Sequence, residues 1–237
     1  MAEENVVESE AETDRGSVQE SDSGATSGER QLTKAEQKRK EVFLQTCDRF
    51  ESEGYHVRNV TITVAEANGQ AILWTVPPVI ALMVVFFLLH PVNGDQLLLE
   101  LSFGQMVAIF VTFFVLIFAH EGIHGLVWGA FAPDHFKTIS FGVIWKMVTP
   151  YCTCSQPLSR GAYFTGALAP TVVLGIIPCI VALVTGSFFL MAVGCLMIIG
   201  GGGDIAIVAK LIRAHITDPS ALYLDHPYEC GSVVFEK

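Results

Sequence analysis

The sequence predicts a mostly α-helical, polytopic membrane protein. It has about four transmembrane helices, a short membrane-associated β-hairpin and a disordered acidic N-terminal tail. Three observations predict it. Of 237 residues, 51% are hydrophobic and the mean hydropathy is +0.48, more apolar than an ordinary soluble domain. Apolar stretches near 71–90, 105–131, 161–185 and 188–212 each approach the ~20 residues that cross a ~30 Å hydrocarbon layer. The formal charge of −10 is concentrated, because residues 1–30 hold nine acids and two bases and so −7 of it.

That tail, 1–31, is rich in Glu, Ser, Thr and Gly and poor in large apolar residues, so it cannot bury a core and is expected to be solvated. It lacks a basic stretch followed by an apolar one, so the first span is expected to target the chain. Residues 32–69 read as a small cytosolic cap. Thr33 and Glu36 form a capping box before a helix of roughly twenty residues, Phe43, Cys47 and Phe50 fall on one stripe, and Gly54 ends it. "YHVRNVTITV" (55–64) alternates as a strand does. Residues 70–216 form the transmembrane core. Its first span contains Pro77-Pro78, expected to kink it, and its third contains Pro170 and Pro178. Between spans two and three, Ile139, Phe141, Val143 and Trp145 alternate with Ser140, Gly142, Ile144 and Lys146, and Pro150 marks a turn. "YCTCS" is a return strand, giving a hairpin near 136–154. Residues 217–237 are a cytosolic C-terminal segment.

Lys and Arg near the membrane ends set the orientation. Lys34, Lys38, Arg39, Lys40 and Arg58 precede span one, and Lys137, Lys146 and Arg160 lie between spans two and three. Lys210 and Arg213 close span four, and the loops at 91–104 and near 186 have no Lys or Arg. The expectation is a multi-pass membrane protein with both termini cytoplasmic. Its partners are the bilayer and a membrane-protein or peptide substrate, with no nucleic acid. The six cysteines do not resemble a secreted disulfide framework. Cys152 and Cys154 lack the paired spacing of a zinc site, although a second metal site there is conceivable.

"FAHEGIHGLVWGAF" (118–131) interrupts an uncharged run with His120, Glu121 and His124. Intramembrane ionisable residues are costly and mark function. The pattern is H-E-x-x-H. Residues i and i+4 share a helix face, so both imidazoles can bind one zinc ion, while Glu121 can reach a bound water as general base. A catalytic zinc needs a third ligand and an open position. Asp204, after Gly200–Gly203 and the only acid in the last two spans, is the best candidate. The glycines allow close helix approach or local unwinding. At 1.5 Å per residue, His120 lies ~16 Å from the cytoplasmic end of span two and Asp204 ~12 Å from that of span four. Asp225 and His226, beyond the last span, are rival ligands.

Together these residues resemble the site-2 protease class of intramembrane zinc metallopeptidases. More closely, they resemble a family of small prokaryotic membrane proteins described as zincin peptidases. "HEGIHGLVWGAF", "KTISFGV", "GALAPTVVLGIIP", "GGGGDI" and a terminal "DHP…CG" carry the resemblance from about Gly54 onwards. It implies the site-2 order: a His120/Glu121/His124 helix, then a membrane-associated hairpin, then a helix supplying Asp204. It departs in the Gly-Gly-Asp-Ile context of Asp204 and in the absence of an Asn from "GALAPTVV". The activity implied is peptide-bond hydrolysis, with the 136–145 strand able to hold an extended substrate. The alternative is a non-catalytic metal-binding sensor, transporter or scaffold. Glu121 separates the two, since binding alone needs no acid beside a ligand.

Overall fold

The computed structural model describes residues 34–91, 94–95, 102–144, 149–227 and 229–237. The acidic tail and Thr33 of the first capping box lie outside the described residues. The chain is mainly helical, with a four-stranded sheet and a separate two-stranded hairpin.

Helix α1 (Lys34–Ser52) leads through Gly54 into β1 (His56–Ile62). Helix α2 (Val64–Leu89) starts seven residues before the apolar stretch that announced it. Thr63 and Glu66 form a complete capping box there, which starts a helix while the sequence is still polar. The strand is therefore shorter than the alternation over 55–64 suggests. α2 continues across Pro77 and Pro78. α3 (Phe103–Phe131) carries the H-E-x-x-H motif.

A 3-10 turn (His135–Thr138) follows α3, then strands β2 (Ile139–Ile144) and β3 (Thr149–Cys154). They pair antiparallel, with Ile139 opposite Cys154 and Phe141 opposite Cys152. The hairpin is present, but residues 136–138 belong to the turn. After β4 (Leu158–Ser159), α4 runs Arg160–Thr185. Its middle, Thr171–Ile176, is π-helical and lies between Pro170 and Pro178. The wider turn absorbs the hydrogen bonds that the prolines remove, so the helix continues.

The fourth apolar stretch is not one straight helix. It is α5 (Phe188–Gly200) and α6 (Gly202–Arg213), bent by 45° at Gly201. Side chains here would collide: a Cβ on Gly201 meets Thr171, and one on Gly202 meets Ala71 of α2. Three helices, α2, α3 and α4, are long and apolar enough to cross a membrane, and the bent pair makes a fourth if it counts as one span.

The cap and the C-terminal segment, expected as separate pieces, share one sheet. Strands β5 (Leu222–Asp225) and β6 (Cys230–Glu236) complete the order β1-β6-β5-β4, all antiparallel. Gly231 has φ +145°, and a Cβ there would strike the backbone of β1 at Val60 and Thr61. Phe43, Cys47 and Phe50 of α1 cover this sheet against Leu224, Val233 and Phe235. A second core joins Trp128, Tyr163, Leu211, Tyr223 and Val234, linking the helices to the sheet.

Candidate metal centre

His120 and His124 lie one turn apart on α3 and are both buried. Asp204 arrives from the first turn of α6, immediately after the bend. His120 Nε2 lies 3.1 Å from His124 Nε2 and 3.1 Å from Asp204 Oδ2, and His124 Nε2 lies 3.5 Å from the same oxygen. Zinc bonds to His and carboxylate at about 2.0–2.2 Å, so ligand atoms on a tetrahedron stand about 3.3–3.6 Å apart. The three atoms form a triangle of nearly that size. Among the described residues this is the one group of three or more His, Cys, Asp or Glu side chains able to share an ion. The donor set, two imidazoles and a carboxylate, suits zinc.

The tautomer is set by the neighbouring helix. His124 Nδ1 donates to the Gly166 carbonyl of α4 at 2.8 Å, which leaves the Nε2 lone pair facing the cluster. Trp128 stacks on His124 (4.9 Å, 17°), and its indole N–H donates to the Tyr163 carbonyl at 3.2 Å. A Cβ on Gly166 would collide with that indole. Tyr163 stacks in turn on Trp128 and on Tyr223. A continuous aromatic column thus runs from His124 to the sheet.

Glu121 is partly buried and faces Cys152 of β3. Strand β2 and the 3-10 turn before it seat on α3 at two glycines one turn apart. Side chains at Gly125 and Gly129 would run into Phe141 and Phe136.

Asp225, a rival ligand in the sequence, stands outside the cluster and in another role. Its Oδ1 accepts from the Tyr163 hydroxyl at 2.8 Å and its Oδ2 from the Cys154 N–H at 3.4 Å. Tyr163 also meets the Ser232 hydroxyl. Asp225 thereby ties β5 to both α4 and the hairpin. Burial pushes its carboxyl up to about 6. His226, the other rival, accepts from the Glu229 N–H and packs its ring on Phe43. Cys152 and Cys154 are buried and join no metal cluster among the described residues. Burial, then the Glu121 charge, pushes the Cys152 thiol up to about 12, so it is held as an inert thiol.

The sequence reading missed Trp128, Tyr163 and Gly166. Trp128 was legible, being four residues beyond His124 on the same face. The carbonyl of Gly166 was not, because any backbone could have supplied it.

Residues 113–217, which contain every residue of the triangle, match the model of a family described as "Putative zincin peptidase". No curated protein and no solved structure matches the chain. The segment that carries the His120, His124 and Asp204 triangle is thus similar to this zincin peptidase family.

Proposed function

We propose that this protein is a membrane-embedded zinc metallopeptidase of the site-2-protease type, hydrolysing peptide bonds in a membrane protein or peptide. One observation carries the reading. Nε2 atoms from α3 and a carboxylate oxygen from α6, 84 residues apart in sequence, converge at zinc-ligand spacing with Glu121 beside them. The order of motif helix, hairpin and Asp-bearing helix agrees with the site-2 class.

His120, His124 and Asp204 would hold the ion, leaving one position open. Bound zinc supplies Lewis acidity and lowers the pKa of water from 15.7 towards ~7. Glu121 takes the proton from the attacking water and returns it to the leaving amine nitrogen. The Gly166 carbonyl and Trp128 keep the His124 ring oriented. β2 and β3 offer an extended edge beside the site, where a substrate strand can pair and present its carbonyl. A helical substrate must unwind first, since its carbonyls are engaged in its own hydrogen bonds.

Membrane embedding rests on large apolar side chains left exposed along α2, α3 and α4, such as Leu88 (76%), Phe103 (85%) and Val184 (79%). A metal sensor, transporter or scaffold would leave Glu121 without a task.

The test is elemental analysis of the detergent-purified chain together with hydrolysis of casein and of membrane-segment peptides. Wild type should carry close to one zinc per chain, and His124→Ala and Asp204→Ala should each lose it. Glu121→Gln should keep the metal and lose turnover by a factor of at least 10². Metal retained in Asp204→Ala, or cleavage retained in Glu121→Gln, would overturn the assignment of that residue.

A further inference from the structure

We propose that the cleft between β1, the first turns of α2 and the end of α6 binds the phosphate of an anionic phospholipid headgroup. The cleft holds about 460 Å³ and is lined by Arg58, Gln70, Lys210, Arg213 and residues Asn59 to Thr61 of β1. Three cations from two segments more than 150 residues apart converge on it, and no acid is among the described residues that line it. Two acids stand nearby and are engaged. Glu236 lies 3.8 Å from Arg58, in a pair half open to solvent on the Arg58 side. Glu66 acts on Lys210 from a distance while its carboxylate accepts the Thr63 N–H in the α2 cap.

Two further features suit a phosphate. β1 is an edge strand, so its outer backbone groups have no strand partner among the described residues. The side-chain oxygen of Gln70 is buried without a partner. Turning that amide over would present its NH₂ to an anion.

The location selects the source of the phosphate. Exposed apolar surface begins at this level, with Ile72 (62%) and Leu73 (61%) on α2 and Ile212 (62%) on α6. Trp74 is 43% exposed, with the Arg213 guanidinium 5.5 Å over its ring. Trp and Arg at the edge of an apolar belt mark the headgroup layer. Cations that only set orientation need not share a cleft, whereas basic pockets between membrane helices hold anionic headgroups.

The proposal rests on the membrane reading and is independent of zinc. The full chain in mild detergent is titrated with phosphatidylglycerol or phosphatidylcholine, and retained lipid is counted by native mass spectrometry. Wild type should retain phosphatidylglycerol preferentially, less so as salt rises. Each of Arg58→Gln, Lys210→Gln and Arg213→Gln should weaken retention about fivefold, and Lys210→Arg should preserve it. The salt titration of wild type stands as a test even if a variant misfolds. Equal retention of the two lipids by wild type, or no loss in the triple variant, would overturn the proposal. Displacement of the lipid by equimolar glycerol 3-phosphate would reassign the cleft to a soluble phosphate, and displacement by poly-glutamate to an acidic peptide. A chain that stays folded and soluble without detergent would instead remove the membrane reading itself.

Discussion

Asp225 shows how one carboxylate can organise a site it does not enter. Its two oxygens hold Tyr163 of α4 and the Cys154 N–H of β3, and β3 in turn reaches Glu121 through Cys152. Its carboxyl is raised from 3.8 to about 6, so the folded state binds its proton more tightly than the unfolded chain. Its contribution to stability is complete below the unfolded value and is lost as pH rises through about 6. The gap corresponds to roughly 3 kcal/mol. Asp225→Asn, which cannot ionise, should therefore gain thermal stability over wild type as pH rises from 4 to 7. Unfolding midpoints of both proteins in detergent measure this, and a difference that does not change with pH would refute it. In the sequence Asp225 was visible only as a possible ligand. An acid next to a histidine looks the same whether it meets a metal or a tyrosine.

The hairpin and the 3-10 turn that leads into it are held by what is missing from α3. Gly125 and Gly129 leave a flat seat for Phe141 and Phe136, and the pair stands in the sequence as the small-xxx-small pattern of close packing. Gly125→Leu should push β2 off the helix, at a cost of about 1–3 kcal/mol for overpacking. Amide exchange of β2 and β3 should quicken, while zinc content stays near wild type because the triangle comes from α3 and α6. Unchanged exchange would mean that the hairpin is held elsewhere. The alternation of residues 139–144 made the strand pair readable, although Pro150, expected at the turn, lies inside β3 opposite Val143. The start of α2 was also readable, from Thr63 and Glu66, but hydropathy masked it because the first turn is polar.

The sheet constrains the path of the whole chain. β1 precedes α2, β4 follows α3, and β5 and β6 follow α6, yet all four strands pair in one sheet. If the apolar helices cross a bilayer, β1, β4 and β5 must emerge on one side, which requires an even number of crossings between them. In that case the distribution of Lys and Arg would put that side in the cytoplasm. With native cysteines replaced, Glu53→Cys and Ser220→Cys should react with an impermeant thiol reagent from one side of the membrane and Thr185→Cys from the other. Labelling of Glu53→Cys and Ser220→Cys from opposite sides would break the four-span path.

The sequence alone determined the apolar helices, the H-E-x-x-H pair, the hairpin and Asp204 as the acid to watch. These are written in local periodicity and in the rarity of charge within apolar runs, which need no knowledge of neighbours. Tertiary structure alone decided that Asp204 meets the two histidines while Asp225 turns to Tyr163, and that the two ends of the chain share a sheet. It also decided that the fourth stretch bends at Gly201 and that Arg58, Lys210 and Arg213 converge. Each of these is a pairing between segments tens to well over a hundred residues apart. Such a pairing depends on which helix faces meet and which backbone groups remain unpaired, and no local pattern carries that information.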